Sequence, residues 1–471
     1  MPAEALTKAG SVKPWMWAVA VGASLGFAYT LSPLTVLVVM ALVPLWRSVS
    51  RDLAPRERQW LLAIVSVAVA LRLAAIAGLF LSADSDIPYA NFFGDEEFFK
   101  RKTTWLRNVG MGIPISTADY MYAFDLVGES SYLQVLMYLQ ALLGLAPYGI
   151  HVLNAGLYLV AVLVLYRLCR ISFGGLAAQA GLALLLFLPS LFTWSVSALK
   201  EPLYFLAAAL VVAGAWAAAR ARASWRPPAF VALAIGGLVL QTLREGGLVL
   251  TVTGVLGGYF LSYVIQRPRV LMGVCVAAPI VVLLAFTRPA VQERAWVFVH
   301  QAAEKHWGHI NTAGLTYKLM PSEFYEDRRA IQAMTVADVG RYTVRAVWAY
   351  VTVPVPWEIE SRSALAYLPE QMVWYSVLVL LPIGIIAGFR RDPLLTSLLV
   401  AHGAAAVMMV ALSGGNVGTL IRHRGLAMPY LAWLGGLGLI TAAQLLLART
   451  RSVRPVTDQL GLGSKAGLTW H

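Results

Sequence analysis

Three features of this sequence point to an all-α, polytopic integral membrane helix bundle. Apolar runs of about 20 residues recur along the chain, long enough to cross a hydrocarbon core as helix. Apolar residues make up 59% and charged ones only 13%, with a mean hydropathy of +0.68, whereas a soluble domain carries about a quarter charged residues. The runs are also continuous rather than alternating. That excludes a transmembrane β-barrel and leaves helices, which satisfy their backbone polar groups internally.

In chain order the runs are 15–31, 33–46, 59–81, 149–166, 174–195, 201–219, 228–243, 246–265, 270–287, 371–389, 393–412 and 426–447, about twelve spans. The first two are short and read as a hairpin or a bent pair. The run 131–147 ends in Ala-Pro and reads as a re-entrant or interfacial helix. The chain then divides into an N-terminal hairpin with its loop (1–58), a membrane body (59–447) and a tail (448–471). The N-terminus lacks a small-residue cleavage pattern, so no removable signal peptide is expected. Cys169 and Cys275 lie at or inside apolar runs and are not expected to pair.

Charge orients the spans. The net charge is +13; the positive-inside rule accounts for it, and no nucleic-acid partner is expected. The connections 1–14, 47–58, 167–173, 220–227, 266–269, 390–392 and 448–471 hold 19 Lys or Arg against 5 acids. The alternate set, with Glu201, holds 17 against 19. The first set is therefore cytoplasmic, and both termini lie inside. The two long connections, 82–130 and 288–370, share the outer face and mark it as the working side.

The first of these contains "GDEEFFKRKTTW". Helical spacing puts Phe98, Lys102, Trp105 and Val109 on one stripe, with Asp95, Glu96 and Glu97 in the first turn, where the helix dipole favours carboxylates. The cluster is either a charged N-terminal turn or the seat of a general base or metal ligand. Cations gather at the same face: Lys200 with Glu201 in "SALKEP", Arg244 in "LREGG", and Arg422, His423 and Arg424 in "LIRHRGL". Cations at outer boundaries run against the charge rule. A phosphate or pyrophosphate carried by a lipid would gather them; lipid headgroups or local ion pairs are the plainer reading. Arg72, inside the run 59–81, is a secondary candidate, because an ionisable group at membrane depth is a functional hypothesis by default. The segment with His300, His306 and His309 reads as solvated or interfacial, and 351–371 as a stiff outer loop.

These segments resemble the GT-C glycosyltransferases, the polytopic enzymes that use polyprenyl-phosphate sugars, which include protein O-mannosyltransferases and lipid A aminoarabinose transferases. "GDEEFF" stands where that family carries an acidic motif in its first outer loop. "FLPSLFTWSVSALKEPLYFLAAAL" looks like its Pro–Ser–Glu span junction, and "RHRGLAMPYLAWLGGLGL" like its late Arg–Tyr–Pro segment. The resemblance covers residues 59–447 loosely. It departs from the family in the hairpin that precedes the acidic loop and in having no separate soluble domain after the last span.

The resemblance implies an inverting glycosyltransferase in a bacterial inner (plasma) membrane, working on the periplasmic side in cell-envelope or polysaccharide biosynthesis. The donor would be a polyprenyl-phosphate sugar entering from the lipid bilayer, and the acceptor a hydroxyl of a glycan, lipid or protein. Asp95 or Glu96 would take the acceptor's proton; Lys200, Arg244, Arg422 and Arg424 would hold the leaving phosphate. Family members differ in metal use, and Asp95 with Glu96 is the pair that would hold Mg or Mn. Two other classes stay open: an O-antigen-type polymerase or ligase acting on lipid-pyrophosphate glycans, and a lipid-linked glycan flippase or transporter.

Overall fold

A computed structural model describes residues 15–16, 19–24, 32–83, 91–125, 129–145, 147–312, 314–358, 365 and 368–459. Its helices, in chain order, are α1 Pro33–Val49, α2 Pro55–Leu81, α3 Gly94–Gly110, α4 Thr117–Ala123, α5 Ser131–Leu143, α6 Pro147–Phe173, α7 Gly175–Phe187, α8 Pro189–Val196, α9 Glu201–Arg220 and α10 Arg226–Leu243. There follow α11 Gly247–Ile265, α12 Pro268–Phe286, α13 Pro289–Ile310, α14 Glu323–Glu326, α15 Val336–Thr352, α16 Leu368–Arg391, α17 Pro393–Ser413, α18 Val417–Arg424 and α19 Met428–Gln459. Among the described residues there is no strand; a single antiparallel bridge joins Thr316 and Asn416.

Nine of the described helices are long and apolar enough to cross a membrane, ten if the pair α7 and α8, bent by 64°, counts as one span. They correspond to the ten apolar runs from 59–81 to 426–447. The count of twelve is not reached. At 1.5 Å per residue, the 17 residues of α1 extend about 25 Å, short of the hydrocarbon thickness of about 30 Å, and much of the run 15–31 lies outside the described residues. The 13 residues of α5 reach about 20 Å, too short to cross. The two long connections are not bare loops: 82–130 contains α3 and α4, and 288–370 contains α13, α14 and α15.

Local sequence explains the helix starts. Proline opens α2, α12, α13 and α17, where its missing N–H would have had no helical partner. Asp392 caps α17 by accepting from Leu395 N–H. The acids Asp95, Glu96 and Glu97 stand in the first turn of α3.

The chain forms two compact units. One holds residues up to Leu163 with Phe192–Ala207 and Leu238–Gly247; the other holds Val164–Leu191, Ala208–Gly237 and Leu248 onward. In the first, α3 meets α5 through Phe99 on Tyr132, and Tyr158 lies against Phe205. Gly156 lets α1 approach α6, since a Cβ there would meet Val38 Cγ1 at 2.6 Å. In the second unit, glycines bring α7, α16 and α19 into backbone contact. A Cβ at Gly384 or Gly438 would strike the carbonyl oxygen of Leu434 or Leu380, and one at Gly436 would meet Gly181 N at 2.6 Å. Small residues at such seams replace the hydrophobic drive that lipid removes. The glycines of "LAWLGGLGL" are thus packing residues.

Candidate functional site

The site begins with a break in helix. α8 ends at Val196 and α9 starts at Glu201; the bends between them are buried at Ser197, Ala198 and Leu199. Non-helical backbone among apolar helices must find partners elsewhere. Three side chains supply them. Asn154 Nδ2 on α6 faces Ser197 O at 2.6 Å, Leu199 O at 2.8 Å and the Tyr132 hydroxyl at 2.9 Å. His151, one turn earlier, sets Nδ1 2.6 Å from Val196 O. Glu96, at the start of α3, accepts from Ala198 N–H at 3.0 Å through Oε2.

Glu96 also holds its own helix. Its Oε1 accepts from Phe92 N–H at 3.0 Å and Phe93 N–H at 2.9 Å. This is the reach-back of a third-position glutamate to the residues before its helix. The carboxyl is fully buried, with Oε2 3.8 Å from His151 Nδ1. Burial pushes it above the ordinary carboxylate range, opposed by the three N–H donors and by Lys100. Lys100, one turn along, donates to Asn91 Oδ1 at 2.8 Å, and burial lowers its ammonium below the usual lysine value.

Past the break stand the cations. Arg244 Nη2 lies 2.8 Å from Glu201 Oε1. Lys200 is half-buried; burial, then the positive charge of Arg244, hold its ammonium below the usual value, with Glu201 opposing. Two cations that repel each other beside one carboxylate make a place where an anion is favourable.

The acids of α3 divide by position. Glu96 is buried, whereas Asp95 and Glu97 are exposed, Glu97 in an ion pair with Arg101. The sequence brackets Asp95 and Glu96 as one pair; the structure gives Glu96 a backbone-holding role and places Asp95 at the surface. The two carboxylates named for a metal therefore lie in different surroundings, one exposed and one buried. Both oxygens of Glu96 already take N–H donors, and among the described residues no three His, Cys, Asp or Glu side chains come together.

Arg72, also in this first unit, points at the end of α8. Its Nε donates to Ser195 Oγ at 2.8 Å and Nη1 to Ala68 O at 3.0 Å, with the guanidinium between the rings of Tyr158 and Phe192. It ties α2 to α8.

Arg422, His423 and Arg424 belong to the second unit. Arg424 is buried. It donates to Tyr350 O at 2.9 Å from Nε, to Gln371 Oε1 at 2.7 Å and to Val353 O, and it sits over the rings of Tyr350 and Trp374. Burial lowers it to about 10, so it stays charged at neutral pH. Two of its partners are carbonyls at the C-terminal end of α15, Tyr350 O in its last turn and Val353 O just beyond it, where helix geometry leaves carbonyls unpaired. Arg422 and His423 are half-buried on α18.

His306 departs from the expected solvated or interfacial stretch. It is fully buried, Nδ1 toward Gly414 O and Nε2 2.8 Å from the Tyr325 hydroxyl, and burial lowers its ring to about 4. His309 Nδ1 lies 2.7 Å from Ser413 O. The apolar face of α13 carries these rings inward against the end of α17.

Sequence reasoning passed over Tyr132, Asn154 and the break-holding role of His151. The available signal was "GIHVLNAGL", two polar residues three apart on one face of an apolar helix. Comparison with known proteins adds nothing to this geometry: no family model, no curated protein and no solved structure matches the chain.

Proposed function

We propose that this chain is a membrane glycosyltransferase of the GT-C type. It moves a sugar from a polyprenyl-phosphate donor to an acceptor hydroxyl at the outer face of a bacterial inner membrane. The observation that carries the reading is the Lys200–Glu201–Arg244 cluster, two mutually repelling cations at a break in buried helix. Leaving-group chemistry supports it. The departing lipid phosphate is already anionic and needs positive charge rather than an acid. In the reaction, Asp95 takes the proton of the acceptor hydroxyl, whose oxygen attacks the anomeric carbon. The bond from that carbon to the phosphate oxygen breaks, and Lys200 and Arg244 hold the charge that develops there. Glu96, His151 and Asn154 position Lys200 and Glu201 by fixing the backbone before them. The outward placement of 82–130 and 288–370 belongs to this proposal.

The test uses purified protein in lipid nanodiscs with a panel of polyprenyl-phosphate sugars and an acceptor mixture. Asp95→Asn is expected to lower transfer by about 10²–10⁴-fold while leaving thermal unfolding and donor protection intact. Full activity in that variant removes Asp95 from the mechanism. Protection only by lipid-pyrophosphate oligosaccharides would turn the reading toward a polymerase or ligase.

A further inference from the structure

The break at Val196–Glu201 carries more hydrogen-bonding capacity than the protein uses. His151 Nε2, Asn154 Oδ1 and Glu201 Oε2 are buried side-chain atoms with no hydrogen-bond partner, and so is Arg244 Nε. His151 and Asn154 are fully buried and Glu201 is 5% exposed. The four residues form one neighbourhood. His151 and Asn154 are a turn apart on α6 and both hold the backbone of 196–199. The charge of Glu201 acts on Tyr132, whose hydroxyl faces Asn154 Nδ2, and Glu201 pairs with Arg244.

The chemistry of the unused atoms is one-sided. His151 Nδ1 faces a carbonyl and therefore donates, which leaves Nε2 as an acceptor. Asn154 Oδ1 and Glu201 Oε2 accept only, and Arg244 Nε donates. Buried polar atoms are normally satisfied, so three acceptors and one donor around a single stretch of chain define a complementary ligand. It brings several donors, accepts once, and carries no negative charge of its own. A cation meets that description poorly beside Lys100, Lys200 and Arg244. Vicinal hydroxyl groups meet it well, because each donates and accepts.

We propose that His151, Asn154, Glu201 and Arg244 form a specificity site for a neutral hydroxyl-bearing sugar unit, and that it discriminates against carboxylated sugars. This rests on the glycosyl-transfer reading for its location beside the phosphate cations, but its selectivity follows from the orphan acceptors. A uronate carboxylate would set acceptor against acceptor, and a site built to bind hydroxyls rejects what cannot donate.

The experiment measures thermal protection of the full chain in nanodiscs. The probes are bare polyprenyl phosphate, its mannosyl and glucuronosyl forms, and free methyl mannoside. Bare lipid is expected to protect. The mannosyl lipid should bind about tenfold or more tighter than the glucuronosyl one. Glu201→Gln keeps the Arg244 contact through Oε1 and turns the orphan acceptor into a donor. It should erase that preference, while thermal unfolding without any ligand, read separately, shows that the fold persists. His151→Asn, whose amide replaces Nδ1, is the second variant and should do the same. Equal binding of the two sugar lipids, or a preference surviving in both variants, overturns the proposal and leaves ordered water as the only occupant. Protection by methyl mannoside that Glu201→Gln removes, with none from bare lipid, would keep the hydroxyl site and overturn the lipid-phosphate reading.

Discussion

The break at Val196–Glu201 in the first unit and the one at Ser413–Val417 in the second solve the same problem with different materials. Each interrupts helix among apolar neighbours, so its backbone groups must be matched locally. At 413–417 the match is made with two imidazoles, a phenol and backbone, without a carboxylate. His306 takes Gly414 O, His309 takes Ser413 O, and Tyr342 donates to Leu412 O. Tyr317 N–H donates to Gly415 O at 3.0 Å and Val417 N–H to Leu315 O at 2.8 Å. Asn416 then caps α18 by accepting from Thr419 N–H. Beside this break the buried Tyr317 hydroxyl is left over. At 196–201 the match uses an ionisable carboxyl, an imidazole and an amide, and leaves three acceptors and a donor unused. A break whose backbone groups are matched with one hydroxyl left over is a joint. One matched with surplus polar capacity beside two cations is a place for a ligand.

That contrast breaks first at Glu96. Removing its carboxylate in Glu96→Ala leaves the N–H groups of Phe92, Phe93 and Ala198 without their acceptor, and should cost roughly 4 kcal/mol. Thermal unfolding in nanodiscs measures it; a change below about 1 kcal/mol would mean water enters the break and satisfies it. Arg424→Ala is the counterpart in the second unit and should cost about 3 kcal/mol, by losing hydrogen bonds to Tyr350, Val353 and Gln371. Donor protection measured on the folded fraction should persist. Loss of protection with unchanged stability would return Arg424 to a phosphate-binding role.

The smallest effect separates the breaks by pH. His306 has a folded value of about 4 against an ordinary 6.5, so between those values the unfolded chain binds the extra proton. Its contribution is fully present above pH 6.5 and is lost as pH falls toward 4. At about 1.4 kcal/mol per pH unit, stability should drop roughly 2 kcal/mol between pH 6.5 and 5. The reason is local: protonated Nε2 would point a donor at the Tyr325 hydroxyl, which already accepts from Leu319 and Met320 N–H. His306→Asn should flatten this slope, and an unchanged slope would assign it to other groups. Glu96 gives the opposite sign. Its raised carboxyl favours the fold at low pH and loses that advantage as pH rises past the ordinary carboxylate value.

Run length and hydropathy alone specify the helices and their apolar character. Ten of the chain's apolar runs return as nine long helices and a bent pair, because run length and hydropathy are local properties that lipid selects directly. The sequence also placed the three acids in the first turn of α3 and set Lys200, Glu201 and Arg244 at helix ends. Which of these carry surplus capacity depends on contacts distant in sequence. Arg72 and Arg424 were legible as cations within or beside spans, but not the distant partners they take: Ser195, 123 residues away, and for Arg424 the carbonyls of Tyr350 and Val353 at the end of α15, 71–74 residues away. Every residue offers a carbonyl, so no sequence signal announces that one is waiting. Asp95 and Glu96 are neighbours in sequence, yet about 100° of helical rotation separates them. One faces outward, and the other holds a break 102 residues further along the chain.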